Sequence, residues 1–100
     1  MDTKSINTMS IPKVSIRQVK AARALLGWSQ EQLADAAEVS IPTIKRLEAR
    51  DGLLSGRKET VERIKAAFEL SGIDFIDENG GGAGVRLRSI RKRRSEKSES

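Results

Sequence analysis

The 100-residue sequence predicts a mainly α fold, in which a compact four-helix domain is followed by a β-hairpin and flanked by disordered tails. Three observations lead there. Apolar residues recur at helical spacing in successive stretches between Ser15 and Ser71. Serines stand immediately before three of these stretches, at Ser15, Ser29 and Ser40, where unpaired first-turn amides need an acceptor. After Gly72 the apolar pattern changes to strand-length runs around a glycine-rich stretch. The expected organisation is a flexible arm over 1–14, a helical domain over 15–72, a hairpin over 73–88 and a basic tail over 89–100.

Residues 1–14 show no periodicity and contain Pro12, which reads as an arm. Ser15 caps a first helix reaching about Leu26. Ile16, Val19, Ala22, Arg23 and Leu26 share one stripe of it, and Gly27 supplies a left-handed exit. Arg23 on a buried stripe requires a carboxylate, and Glu48 is the candidate for a structural ion pair. Trp28 precedes the next cap, in the position of a hydrophobic staple.

Gln30 to Leu47 reads as two short helices with a tight corner between them. Ser29 caps the first, whose small apolar face is Leu33, Ala34 and Ala37. Glu38-Val39 is the corner, with Val39 turned inward. Ser40 caps the second helix, expected over 41–49. Pro42 falls in its first turn, where a missing amide proton costs little. Ile44 and Leu47 face inward, leaving Ile41, Pro42, Lys45 and Arg46 outside. Such a capped helix with adjacent cations suits a DNA major groove. Ser40, Ile41, Pro42, Lys45 and Arg46 are the expected base-facing set. Arg46 has the geometry for guanine O6 and N7, and Ile41 for a thymine methyl. Thr43 reaches either a phosphate or a base and is counted, with Arg50, among the phosphate contacts.

These two helices resemble the phage Cro/repressor-like helix-turn-helix family, also called the XRE family. The matching residues are Gln30, Leu33-Ala34, Ala37, Val39-Ser40, Ile44 and Glu48, with Arg23 upstream. The resemblance spans roughly residues 16–72 and implies a lambda-repressor-like bundle acting as a DNA-binding transcriptional regulator. It also implies a phosphate contact for Gln30 at the helix N-terminus and the same Arg23–Glu48 pair. It places Arg57 and Lys58 along the DNA backbone, where they give affinity and salt dependence without sequence information. Glu38 departs from the family, which usually has glycine at the corner; a residue with a Cβ is strained in a left-handed conformation.

Gly52 leads out of the second helix, and Lys58 to Ser71 forms the last one. Val61, Ile64, Ala67 and Phe68 are its buried stripe. Ile73–Ile76 and Val85–Arg88 are the expected strands of a hairpin around a long glycine-rich turn. The Walker lysine and the Rossmann spacing are both missing from that turn. A lone hairpin is marginal in water, so its apolar residues must pack on the helical core and across a two-fold axis. Ile73, Phe75, Ile76, Val85 and Leu87 are the dimer-interface candidates. Arg91-Lys92-Arg93-Arg94 opens a tail that is basic and then mixed.

Composition narrows the function. Cysteine, histidine and tyrosine are all absent, so disulfides, thiolate or imidazole metal sites and most catalytic constellations lack their residues. No enzyme, cofactor or metal site is expected. The net charge of +5 favours a polyanionic partner. No apolar run approaches the ~20 residues of a membrane span, and no signal-peptide layout is seen, so a cytoplasmic location is expected. The expected function is a sequence-specific regulator, a repressor rather than an activator, binding double-stranded DNA at a palindromic operator as a homodimer. The alternative is a DNA-binding antitoxin whose hairpin and tail hold a partner protein.

Overall fold

Each of the first three helices begins on a serine whose hydroxyl accepts a hydrogen bond from the third-position amide. At Ser15 and Ser29 the bond is reciprocated: the side chains of Gln18 and Gln32 accept from the serine amides at 2.8 Å, closing capping boxes. In the computed structural model, which describes residues 13–88, the elements run α1 (Ile16–Leu26), α2 (Gln30–Ala37), α3 (Ile41–Glu48), α4 (Lys58–Leu70), β1 (Ile73–Ile76) and β2 (Gly84–Leu87). The arm over 1–12 and the tail over 89–100 lie outside the described residues.

The four helices enclose one core centred on Phe68, which is fully buried in α4. Trp28 stacks on Phe68 at a centroid separation of 5.6 Å, and Phe75 meets it edge-on at 5.8 Å. Both geometries suit the ring quadrupole. Trp28 is therefore a half-buried packing residue joining the α1–α2 junction to α4.

Val14, assigned from sequence to the arm, belongs to this core: it is buried, and its carbonyl accepts from Leu54 N at 2.7 Å. Ile16 N donates to Gly52 O at 2.8 Å, and Ser15 and Leu53 form an antiparallel bridge. The chain entering α1 is thus hydrogen-bonded to the chain leaving α3. Leu54, which the sequence pattern leaves in a loop, is buried because this bridge carries it inward.

The hairpin is antiparallel, pairing Ile73 with Leu87, Phe75 with Val85 and Ile76 with Gly84. Its second strand starts one residue earlier than expected, at Gly84, and Arg88 lies beyond it. Ile73 is fully buried in the core of its own protomer, and Phe75 and Val85 pack against that core. This corrects the dimer assignment for Ile73 and turns Phe75 and Val85 to the protomer: a hairpin this short needs their apolar area for its own stability. Ile76 is half-buried and Leu87 is exposed.

Gln18, which the sequence reading passed over, joins the hairpin to α1. Its side-chain amide donates to Ile76 O at 3.1 Å and to Gly84 O at 2.8 Å, across the mouth of the hairpin. Its oxygen meanwhile serves the Ser15 capping box, so a side chain only 4% exposed is hydrogen-bonded at both ends. The detectable signal was the Ser15-x-x-Gln18 spacing, which announces the cap but not the strand contacts.

The corner between α2 and α3 holds Glu38 at φ 60° and ψ 45°, the one non-glycine residue with positive φ among those described. A Cβ in that region costs roughly 1–2 kcal/mol, while glycine's extra chain entropy costs roughly 0.5–1 kcal/mol. Glu38→Gly should therefore stabilise the fold by about 0.5–1 kcal/mol. Thermal unfolding checks this: the midpoint should rise by a few degrees, and an unchanged or lower midpoint would show the corner to be unstrained.

Candidate nucleic-acid interface

Helix α3 is divided sharply between two faces. Ile44, Leu47 and Glu48 are buried, whereas Ile41, Pro42, Lys45 and Arg46 are exposed. Ser40 Oγ accepts from Thr43 N at 3.2 Å and shares a 2.7 Å hydrogen bond with the Thr43 hydroxyl. The N-terminal end of α3 is thereby held by two hydroxyls that satisfy each other. Pro42, within the first turn, adds a preset φ without losing a ladder bond.

The other end of α3 is held by charge. Glu48 is 5% exposed and would be costly to bury alone. Arg23 meets it with two parallel bonds, Nε to Oε2 at 2.8 Å and Nη2 to Oε1 at 2.7 Å, and its Nη1 donates to Trp28 O at 3.0 Å. Gln30 Nε2 donates to Glu48 Oε1 at 3.0 Å. Burial pushes the Glu48 carboxyl up, but hydrogen bonds from Arg23 and Gln30 and the nearby Arg23 and Lys20 charges outweigh it. Its pKa is held below the usual glutamate value.

Gln30, read from the resemblance as a phosphate contact, thus has a structural task as well. It opens α2, and the packing of α2 on α3 brings it within reach of Glu48. One of its two amide protons is used there.

Of the remaining cations some are tied to carboxylates and others, Lys13, Arg17 and Lys20 on and before α1 among them, make no ion pair with any described residue. Arg63 pairs with Glu59, Lys65 with Glu69, and both Arg86 and Arg88 with Asp74. Arg88 and Arg86 hold the Asp74 carboxyl below its ordinary pKa. In contrast, Lys45, Arg46, Arg50, Arg57 and Lys58 make no ion pair with any described residue. All five are exposed, on α3, the loop after it and the start of α4. The loop crosses Leu47 at Gly56, whose φ of 140° is glycine territory.

A cleft of about 330 Å³ opens between these elements. Thr43, Arg46, Leu47 and Arg50 line one side, and Gly56, Arg57 and Thr60 the other. Sequence spacing could not reveal it, because its walls meet only once α3 and the start of α4 are packed. Among the described residues no cluster of acidic or other ligating side chains could hold a metal ion, and no helix is long and apolar enough to cross a membrane.

Two outcomes follow for the ion pair. Arg23→Ala leaves Glu48 buried without its partner and should lower unfolding stability by about 3 kcal/mol. Lys45→Ala removes an exposed, unpaired cation and should stay within about 0.5 kcal/mol of wild type. Denaturant melts of both variants test the contrast, which equal midpoints would abolish.

The second concerns pH. A carboxyl whose folded pKa is depressed stabilises the fold above its unfolded value, about 4.3 for glutamate, and loses that contribution as pH falls through the folded value. Stability should therefore decline as the pH is lowered below about 4. Glu48→Gln should reduce the slope of that decline while keeping the part due to Asp74. An identical slope would show that Glu48 titrates normally.

Residues 19–58 match the helix-turn-helix family model, covering α3, all of α2 and most of α1 together with the loop that reaches α4. No curated protein matches the chain. The capped, two-faced α3, its charge anchor at Glu48 and the unpaired cations around it sit within or at the edge of the matched segment. Over residues 19–58 the chain is similar to the Cro/C1-type (XRE) helix-turn-helix family, a family of DNA-binding transcription regulators.

Proposed function

We propose that this protein is a sequence-specific transcriptional repressor, working in the cytoplasm as a homodimer on a palindromic operator. The observation that carries this reading is the cluster of five exposed cations on α3, the loop after it and the start of α4, none of which has a carboxylate partner among the described residues. In this reading α3 enters the major groove by its N-terminal end. Ser40, Ile41, Pro42 and Lys45 face base edges, with Arg46 turned to guanine. Gln30, Thr43, Arg50, Arg57 and Lys58 meet the phosphates that flank the groove. Ile41 and Pro42 carry no side-chain donor, so readout there is apolar or by shape.

A two-fold pair of such domains would place its α3 helices about one turn of B-DNA apart, ~34 Å. Of the hairpin candidates, Ile76 and Leu87 are the residues left for a contact between protomers. Occupation of a promoter by the dimer would exclude polymerase.

Footprinting on the DNA flanking the gene, with native mass measurement of the complex, tests the reading. Two protected half-sites about 10 base pairs apart and two chains per duplex are expected. Arg46→Gln and Lys45→Gln should change discrimination among operator variants by about 1–3 kcal/mol at single positions. Arg57→Gln should instead weaken all sequences alike and reduce the salt slope by about one. Unaltered base preference in folded Lys45 and Arg46 variants would overturn the placement of α3.

A further inference from the structure

The cleft beside α3 has properties that packing and stability do not account for. Arg46, Arg50 and Arg57 converge on it, no acidic residue lines it, and none of the three arginines has a carboxylate partner among the described residues. Like charges gathered without counter-charges destabilise a fold. The start of α4 departs from stability in the same direction. Arg57 and Lys58 occupy the positive end of that helix dipole, where cations are disfavoured, beside the single first-turn carboxylate of Glu59, and no side chain caps it. Local rules broken together at one concave surface mark a place shaped for a ligand.

The chemistry of that ligand follows from the walls. Guanidinium groups offer forked donors matched to oxyanions, and the hydroxyls of Thr43 and Thr60 add smaller ones. Leu47 is the one large apolar side chain among the lining residues. A volume of about 330 Å³ lies at the lower end of small-ligand pockets, ~300–1,000 Å³. We propose that the cleft is an oxyanion seat for a diphosphate-bearing small molecule, held chiefly by Arg50 and Arg57 with Thr60. Occupation of this seat excludes the DNA backbone phosphate that the same residues would otherwise meet. The second half rests on the DNA-binding reading above; the first does not. The seat makes the protein's affinity for DNA responsive to a phosphorylated ligand without a separate effector domain.

Inorganic pyrophosphate is the probe, titrated into the full chain at ionic strength held constant with sodium chloride. Amide NMR shifts should be saturable and centred on Thr43, Gly56 and Thr60. Arg50→Gln and Arg57→Gln should each weaken binding about ten-fold, whereas Arg17→Gln, an equal charge loss on α1, should leave it unchanged. Thr60→Val, which keeps the charge, should also weaken it. Pyrophosphate should then displace a fluorescent operator duplex at concentrations where matched chloride does not. Shifts that never saturate, or that Arg17→Gln reduces as much as Arg57→Gln, would overturn the seat. Saturable binding without displacement would overturn its overlap with DNA. Saturable binding by a protein that binds no duplex would uphold the seat while removing the DNA-binding reading.

Discussion

Glu48 is the constraint on which the presentation of α3 depends. A carboxylate carried into the interior at the end of a short helix must be compensated where it lies. Arg23 from α1 and Gln30 from α2 do this together, with three hydrogen bonds between 2.7 and 3.0 Å. Three helices consequently meet at one side chain. A helix of eight residues has little stability of its own, so tertiary contacts determine its position. The bridge of Ser15 with Leu53 adds backbone bonds just beyond Glu48. The C-terminal end of α3 is therefore anchored by charge and by backbone, and its outward face is kept free of both.

That freedom is what makes the surface suited to a polyanion. Paired cations have much of their field cancelled locally, whereas unpaired ones project it into solvent. Arg63, Lys65, Arg86 and Arg88 belong to the first kind, and Lys45, Arg46, Arg50, Arg57 and Lys58 to the second. The overall charge of +5 shows only the sum. Its placement depends on which carboxylates the fold brings near which bases. Helix α4 makes the point within its own length, since its first residue, Lys58, is an unpaired cation while Arg63 and Lys65 are satisfied four residues from a glutamate.

The hairpin plays a different part. Ile73 lies entirely inside the protomer, Phe75 meets Phe68 edge-on, and Gln18 closes the mouth of the two strands. It thereby extends the helical core, and Arg88 strengthens the join by donating to the carbonyls of Glu69 and Ile73. Any association of two copies through this element must work with what the core has left outside, chiefly Ile76 and Leu87.

Local pattern alone determined a good deal here. The four helices, the serine caps of the first three, the inward residues Leu33, Ile44, Ile64 and Phe68, and the left-handed corner at Glu38 were all legible, because caps and helical periodicity act within a few residues. The Arg23–Glu48 pairing could be anticipated because a buried charge demands an opposite one, and few are available. What only the tertiary structure decided were contacts between residues far apart in the chain. Gln18 reaches strands about sixty residues away, Val14 and Leu54 enter the core as a pair, Gln30 turns to Glu48, and three arginines meet around one cleft. Periodicity specifies which face of an element is apolar. It carries no information about which polar groups will share a buried corner or an open cleft, since that is set by how the faces pack.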